Sequence, residues 1–147
     1  MLRSSRFPFI PAVIAAGALM AQDAEVTPMM SKELTDFPGK EGLMITVVYP
    51  PGASDPIHRH NAHAFVYVLE GTIVMQVKGS KAITLTPGQS FYEGPNDIHV
   101  VGRNASTTKP AKFVVVLLKD KDAPVLVPVD TTSASAAAES KPNAGER

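Results

Sequence analysis

The sequence contains no cysteine and no tryptophan, and only 6% of its residues are aromatic. Without cysteine it can form no disulfide and offers no reactive thiol, so the fold must be held together by its apolar core. Gly-x-Gly phosphate loops and the Gly-x-Ser-x-Gly elbow of serine hydrolases are also missing. No stretch shows helical periodicity over the length of a helix. The sequence therefore carries none of these motifs for phosphate binding or for a nucleophilic serine, no nucleophilic cysteine, and no pattern of an all-helical fold.

Charge of one sign is not in excess, since 14 basic residues stand against 14 acidic ones. A balanced surface gives no reason to expect nucleic acid or an anionic membrane as a partner. Histidine is scarce as well, with four in the whole chain. Their positions are therefore informative.

The first 21 residues have the pattern of a secretory signal peptide. A basic start with Arg3 and Arg6 precedes an apolar run and a series of small residues that ends at Ala21. The run is shorter than the ~20 apolar residues of a membrane span. We expect cleavage after Ala21, with Ala18 as the alternative position, and a secreted or periplasmic protein without further membrane contact. An uncleaved membrane anchor is the competing interpretation.

The rest of the chain divides into three parts by composition. Residues 22–40 are polar, with little periodicity, and are interpreted as an N-terminal arm. Residues 41–129 carry short runs rich in β-branched residues, separated by glycine and proline turns, and predict one domain. Residues 130–147 are rich in serine and alanine, cannot bury enough apolar surface to offset the entropy of ordering, and predict a disordered tail.

The middle part predicts an all-β fold. The predicted strands are 43–49, 57–60, 64–69, 72–78, 81–86, 90–93, 98–102 and 112–119. The turn at Glu70 and Gly71 suggests that strands 64–69 and 72–78 form a hairpin. Many short strands at regular turn spacing indicate a sandwich or a barrel.

Three histidines lie within six positions, at His58, His60 and His63, and the fourth, His99, follows a second turn-rich segment. Residues two apart on a strand point to the same face, so His58 and His60 can reach one metal ion together. Imidazole suits iron, zinc, copper and nickel, and manganese less well. This clustering predicts a histidine-lined metal site.

The same segments resemble the two motifs of the cupin superfamily over roughly residues 43–118. Gly52, His58, His60 and Gly71 match the first motif, Gly88 and His99 match the second, and Pro95 and Asn104 match it with shifts. The resemblance implies an antiparallel jelly-roll β-barrel and a divalent metal (Fe, Mn, Zn or Ni) bound by His58, His60 and His99. The position of the family's glutamate ligand is occupied by Ala64. His63 beside it is a candidate fourth ligand if a bulge turns it inward, and otherwise points the other way.

Two functions remain open at this stage. One is a metal-dependent dioxygenase acting on a small organic molecule, and the other is a non-catalytic module that binds a metal or a small ligand. Gln89, Tyr92 and Glu93 could line the cavity, although Glu93 could equally be a solvated acid beside a turn. The strand 64–69 is apolar on both faces, which favours coverage of one face by a second copy and hence a homodimer; its own N-terminal arm is the alternative cover.

Overall fold

A computed structural model of the chain describes residues 23–129. The predicted signal peptide at 1–21 and the predicted tail at 130–147 lie outside the described residues. None of the described residues belongs to an apolar helix of the length that a membrane crossing requires.

The described residues form ten β-strands and no helix. The strands are β1 (Glu25–Glu33), β2 (Lys40–Tyr49), β3 (His58–Arg59), β4 (His63–Glu70), β5 (Ile73–Val77), β6 (Ile83–Leu85), β7 (Ser90–Glu93), β8 (His99–Asn104), β9 (Ala111–Asp120) and β10 (Val127–Pro128). Each of the eight predicted strands is present, with bounds shifted by a few residues at most. Two strands were not predicted: β1, which lies in the residues interpreted as an arm, and the short β10.

Two five-stranded antiparallel sheets face each other. One sheet has the order β1-β2-β9-β4-β7, and the other has the order β10-β3-β8-β5-β6. Strands that are neighbours in sequence usually lie in different sheets, because the chain crosses repeatedly from one sheet to the other. This arrangement confirms the predicted all-β jelly-roll fold.

The predicted hairpin at Glu70 and Gly71 is wrong. β4 pairs with β7 and β9, whereas β5 pairs with β6 and β8, so this turn carries the chain from one sheet to the other. Gly71 has φ +72°, and a Cβ there would lie 2.6 Å from the carbonyl oxygen of Pro110. Glycine is therefore required by both the backbone conformation and the close approach of β9.

The core lies between the sheets and follows the period of two along each strand. In β9, Ala111, Phe113, Val115 and Leu117 point inward and are buried. In β4 the inward residues are Ala64, Val66 and Val68. The side chains enclosed by the two sheets are therefore mainly apolar. The buried polar residues among those described are His58, Glu93, His99, Asn104 and Lys119.

The outward face of β4 is exposed. Phe65, Tyr67 and Leu69 keep 48%, 49% and 39% of their surface accessible. The arm does not cover them, since β1 pairs with β2 at the opposite edge of that sheet. Of the two covers that the sequence suggested for this face, the arm is therefore excluded.

Candidate metal centre

Three histidines and one glutamate meet inside the barrel. His58 lies in β3 and pairs directly with His99, the first residue of β8, while His60 follows β3 by one residue. Glu93 is the last residue of β7, in the opposite sheet. One ligand atom from each of these four residues lies within 4.8 Å of the other three. The cluster thus joins the two sheets at the centre of the fold.

Each of the three imidazole rings is held from behind by a backbone carbonyl. His58 Nδ1 donates to the Pro56 oxygen at 2.8 Å, and His60 Nδ1 donates to the Val125 oxygen at 2.5 Å. His99 Nε2 donates to the oxygen of Val101 at 2.6 Å. A carbonyl only accepts, so the ring nitrogen facing it carries the proton and the other nitrogen has a free lone pair. Metal-binding histidines are oriented in this way.

The free nitrogens converge on one another and on the carboxylate of Glu93. Nε2 of His58 and Nε2 of His60 are 3.3 Å apart, and each ring already uses Nδ1 as its donor. Oε2 of Glu93 lies 3.3 Å from Nδ1 of His99 and 3.8 Å from Nε2 of His60. These lone pairs repel unless a cation lies among them.

Two atoms of the cluster are buried without a hydrogen-bond partner among the described residues: Oε2 of Glu93 and Nδ1 of His99. Leaving such atoms unpaired costs free energy, and native proteins rarely do so. Both atoms face the centre of the cluster. A bound metal ion would satisfy both, so the residues present fit the group that the sequence predicts.

Burial shifts the pKa values of three groups in the cluster, His60, Glu93 and His99, toward their neutral forms. Burial, with the neighbouring His58 adding to the effect, lowers the pKa of His99 to about 4. Burial also lowers the pKa of His60. For Glu93, burial raises the pKa to about 7, with Asp97 and Asp55 adding to the effect. His60 and His99 are therefore neutral and able to bind a metal, while the Glu93 carboxylate needs a nearby positive charge to ionise fully.

The structure does not bring His63 to this cluster. Its side chain is exposed on the outer face of β4, where Nδ1 lies 2.7 Å from the hydroxyl of Tyr92. No bulge interrupts the pairing of β4 at this point, so His63 and Ala64 face opposite sides as on any regular strand. Of the four histidines proposed as ligands, three meet and the fourth lies outside the barrel.

Glu93 supplies the carboxylate that the sequence lacks at Ala64. The two residues are directly opposite each other in the pairing of β4 with β7, and both are buried. Cross-strand partners have Cβ atoms about 5 Å apart, so the methyl group of Ala64 leaves room for the Glu93 side chain to reach the cluster. The carboxylate of the cluster thus comes from the cross-strand partner of Ala64.

A signal for Glu93 does exist in the sequence. In the strand Ser90–Glu93, the period of two places Glu93 on the same face as Phe91 and opposite to Tyr92. Recognising it as a ligand would also have required the pairing of β7 with β4, which no local pattern encodes.

A second polar pair lies beside the cluster. Tyr49 is fully buried, and its hydroxyl donates to Oδ2 of Asp55. Burial raises the pKa of Tyr49, with Asp55 adding to the effect, and burial also raises the pKa of Asp55. A Cβ on Gly102 would lie 2.9 Å from Cε1 of His99, 3.0 Å from the Tyr49 hydroxyl and 3.1 Å from Oδ2 of Asp55. The Tyr49–Asp55 pair and the His99 ring therefore both pack closely against Gly102.

Comparison with known proteins identifies the domain that carries this site. Residues 45–117 match the family model described as "Cupin domain". The match includes all four residues of the cluster and supports membership of the cupin superfamily. No curated protein matches the sequence.

Solved structures share the fold at low sequence identity. A cupin domain from Bordetella pertussis is 24% identical, with a TM-score of 0.53 over 69% of this chain and 98% of that one. Oxalate oxidase in complex with the substrate analogue glycolate is 20% identical, with a TM-score of 0.56 over 80% of this chain and 66% of that one. The DMSP lyase DddQ from Ruegeria pomeroyi is 22% identical, with a TM-score of 0.53 over 59% of this chain. This chain spans 42% of the length of that lyase.

The close approach at Gly102 generates a prediction. Replacement of Gly102 by Ala forces the His99 ring or the Tyr49–Asp55 pair to move, so metal affinity should fall by about 10- to 100-fold, as when other supports of metal ligands are lost. Gly42→Ala is the matched control, because a Cβ there meets only side-chain atoms at 3.8 Å and beyond. Titration of both variants with Zn²⁺ in a calorimeter measures the effect. Equal affinity in the two variants would contradict the crowding at Gly102.

Proposed function

We propose that the cupin domain formed by residues 45–117 binds a divalent transition metal and uses it to oxygenate a small organic substrate. The ligands are His58, His60, Glu93 and His99. The observation that carries the proposal is the convergence of four donor atoms within 4.8 Å, two of them buried and unpaired. Imidazole and carboxylate together suit Fe²⁺, Mn²⁺, Zn²⁺ and Ni²⁺.

The residues around the metal position would have different roles in such a reaction. A bound divalent ion would polarise a substrate oxygen as a Lewis acid and, as Fe²⁺, would allow chemistry with dioxygen. The carbonyls of Pro56, Val101 and Val125 hold the rings in place, and the apolar walls keep water from the reacting groups. Asp55 and Tyr49 are the acid–base groups beside the ligands, at a position to hold or accept a substrate proton.

A non-catalytic binding module is the second candidate. It is favoured by the scarcity of acid–base groups on the cavity wall, where Tyr49 and Asp55 are the only ones among the described residues outside the ligand set. In this case the metal would anchor a small ligand or stabilise the fold.

The role of Glu93 is tested by removing its charge and then by moving it. Glu93→Gln keeps the shape but not the charge, and should weaken Zn²⁺ and Mn²⁺ binding by more than about tenfold, or 1.4 kcal/mol. His63→Ala is the matched control and should bind as the wild type does, since His63 lies on the outer face of β4. Calorimetric titration of each purified protein gives the affinities.

A double variant makes this test specific to the carboxylate. Glu93→Ala combined with Ala64→Glu returns the side chain to the other side of the same rung and should recover most of the lost affinity. Wild-type affinity in Glu93→Gln, or a loss in His63→Ala as large as that in Glu93→Gln, would refute the proposed ligand set.

Oxygen consumption separates the two candidate functions. The Fe²⁺-loaded protein should consume dioxygen when small hydroxyketones or phenols are added, and the Zn²⁺-loaded protein and Glu93→Gln should not. An oxygen electrode measures the rates. If none of these compounds causes uptake above that of the Zn²⁺-loaded control, the binding module is the better account.

The proposal extends to export and to pairing of two chains. Export is supported by the basic start, the apolar run and the small residues up to Ala21. Pairing is supported by the exposed apolar face of Phe65, Tyr67 and Leu69.

Protein purified from its native host should begin at Gln22 and have twice the chain mass by light scattering. A chain that starts at Met1 would refute export, and a monomeric mass would refute pairing.

A further inference from the structure

The metal centre opens onto a cavity of about 300 Å³ between the two sheets. This volume lies at the lower end of the range for ligand pockets, about 300–1,000 Å³. A molecule that fills it is therefore small.

The cavity is polar at one end and apolar elsewhere. Its polar end consists of the ligand cluster together with Tyr49 and Asp55. The walls come from the inner faces of both sheets and are formed mainly by Ile45, Val47, Val66, Met75, Phe113 and Val115. Apolar walls favour a ligand that is itself largely apolar, because both surfaces are then removed from water.

The charged side chains that line the cavity limit the negative charge of a ligand that can bind there. Among the described residues, no lysine or arginine lines the cavity, and its two carboxylates are Asp55 and Glu93. The wall therefore already holds two acidic side chains and offers no cationic side chain to a ligand. A dianion would then add two negative charges that no group of the wall compensates, which is costly in an apolar enclosure.

Asp55 also restricts the polar end of the ligand. Its Oδ2 accepts from the hydroxyl of Tyr49, and an ionised carboxylate can only accept. A ligand that reaches this corner is best placed if it brings a hydrogen-bond donor of its own. The donor would lie beside the oxygen that meets the metal, because Asp55 and the His99 ring approach the same point.

We infer that the cavity binds a small, uncharged and largely apolar molecule whose polar end carries an oxygen for the metal and an adjacent hydroxyl or N–H donor for Asp55. Compact dicarboxylates are excluded from this class. The inference rests on the proposed metal site and extends it by naming the chemical class of its substrate.

A matched pair of probes tests the class. The probes are 3-hydroxy-2-methylpyran-4-one and oxalate. The pyranone is uncharged at neutral pH and has a hydroxyl beside a ketone; when both oxygens bind the metal the hydroxyl loses its proton, which Asp55 is placed to take, so the site gains no net charge. Oxalate is a dianion. Each is titrated into the Zn²⁺-loaded protein, and each affinity is divided by the affinity of the same probe for Zn²⁺ in water. The pyranone should be favoured by at least about tenfold on this scale.

A charge placed in the wall should change this preference. Leu126 lines the cavity and is 36% exposed, so it can accept a longer side chain. Leu126→Arg should improve oxalate binding by about tenfold or more, because the guanidinium compensates the added negative charge. Leu126→Gln is the control for polarity without charge and should bind oxalate as weakly as the wild type does.

Three results would overturn the inference: wild-type protein that binds oxalate as well as the pyranone, Leu126→Arg that gains nothing for oxalate, and wild-type protein that binds neither probe. The metal content of each sample is measured in parallel. Protein that never retains Zn²⁺ refutes the metal site itself, whereas metal-loaded protein with the wrong preference refutes only the substrate class.

Discussion

The rings of three histidines are fixed by hydrogen bonds to backbone carbonyls, and the remainder of the site depends on this constraint. The bonds to Pro56, Val101 and Val125 determine which nitrogen of each ring carries a proton. They thereby direct three unprotonated nitrogens toward one point inside an apolar barrel. Such an arrangement is unfavourable on its own and becomes favourable when a cation is bound, so the fold itself prepares the metal site.

The carboxylate of the cluster comes from β7, and not from Ala64, the position at which the cupin motif has its glutamate. Ala64 and Glu93 face each other across β4 and β7, and both are buried, so both positions point into the barrel. The small side chain of Ala64 leaves room for that of Glu93. The cluster connects the two sheets, since Glu93 belongs to one sheet, whereas His58 and His99 belong to the other.

Much of the fold could be predicted from the sequence because strands and turns are encoded locally. The β-branched runs ended by glycine and proline gave the strand positions, and the spacing of His58 and His60 placed both rings on one face. The pairing of strands could not be predicted in the same way. The turn at Gly71 has the residues of a hairpin, yet it joins strands of different sheets, because β4 and β5 each pair with strands that lie further along the chain.

The members of the cluster were predictable to the extent that their positions depended on local spacing. The motifs pointed to His58, His60 and His99, whereas Glu93 is positioned by a pairing between strands that are distant in sequence. His63 showed the reverse case, because it is close to the ligands along the chain but lies on the other face of β4. Successive residues of a strand point to opposite faces, so a residue can be near the cluster in sequence and still point away from it.

The direct test of the central claim is the position of a bound metal ion. Crystals of the protein loaded with Zn²⁺, measured at the zinc absorption edge, should show one anomalous peak within bonding distance, about 2.0–2.2 Å, of the free nitrogens of His58, His60 and His99 and of Oε2 of Glu93. A peak bound by His63, or a peak that Glu93 does not contact, would contradict the account.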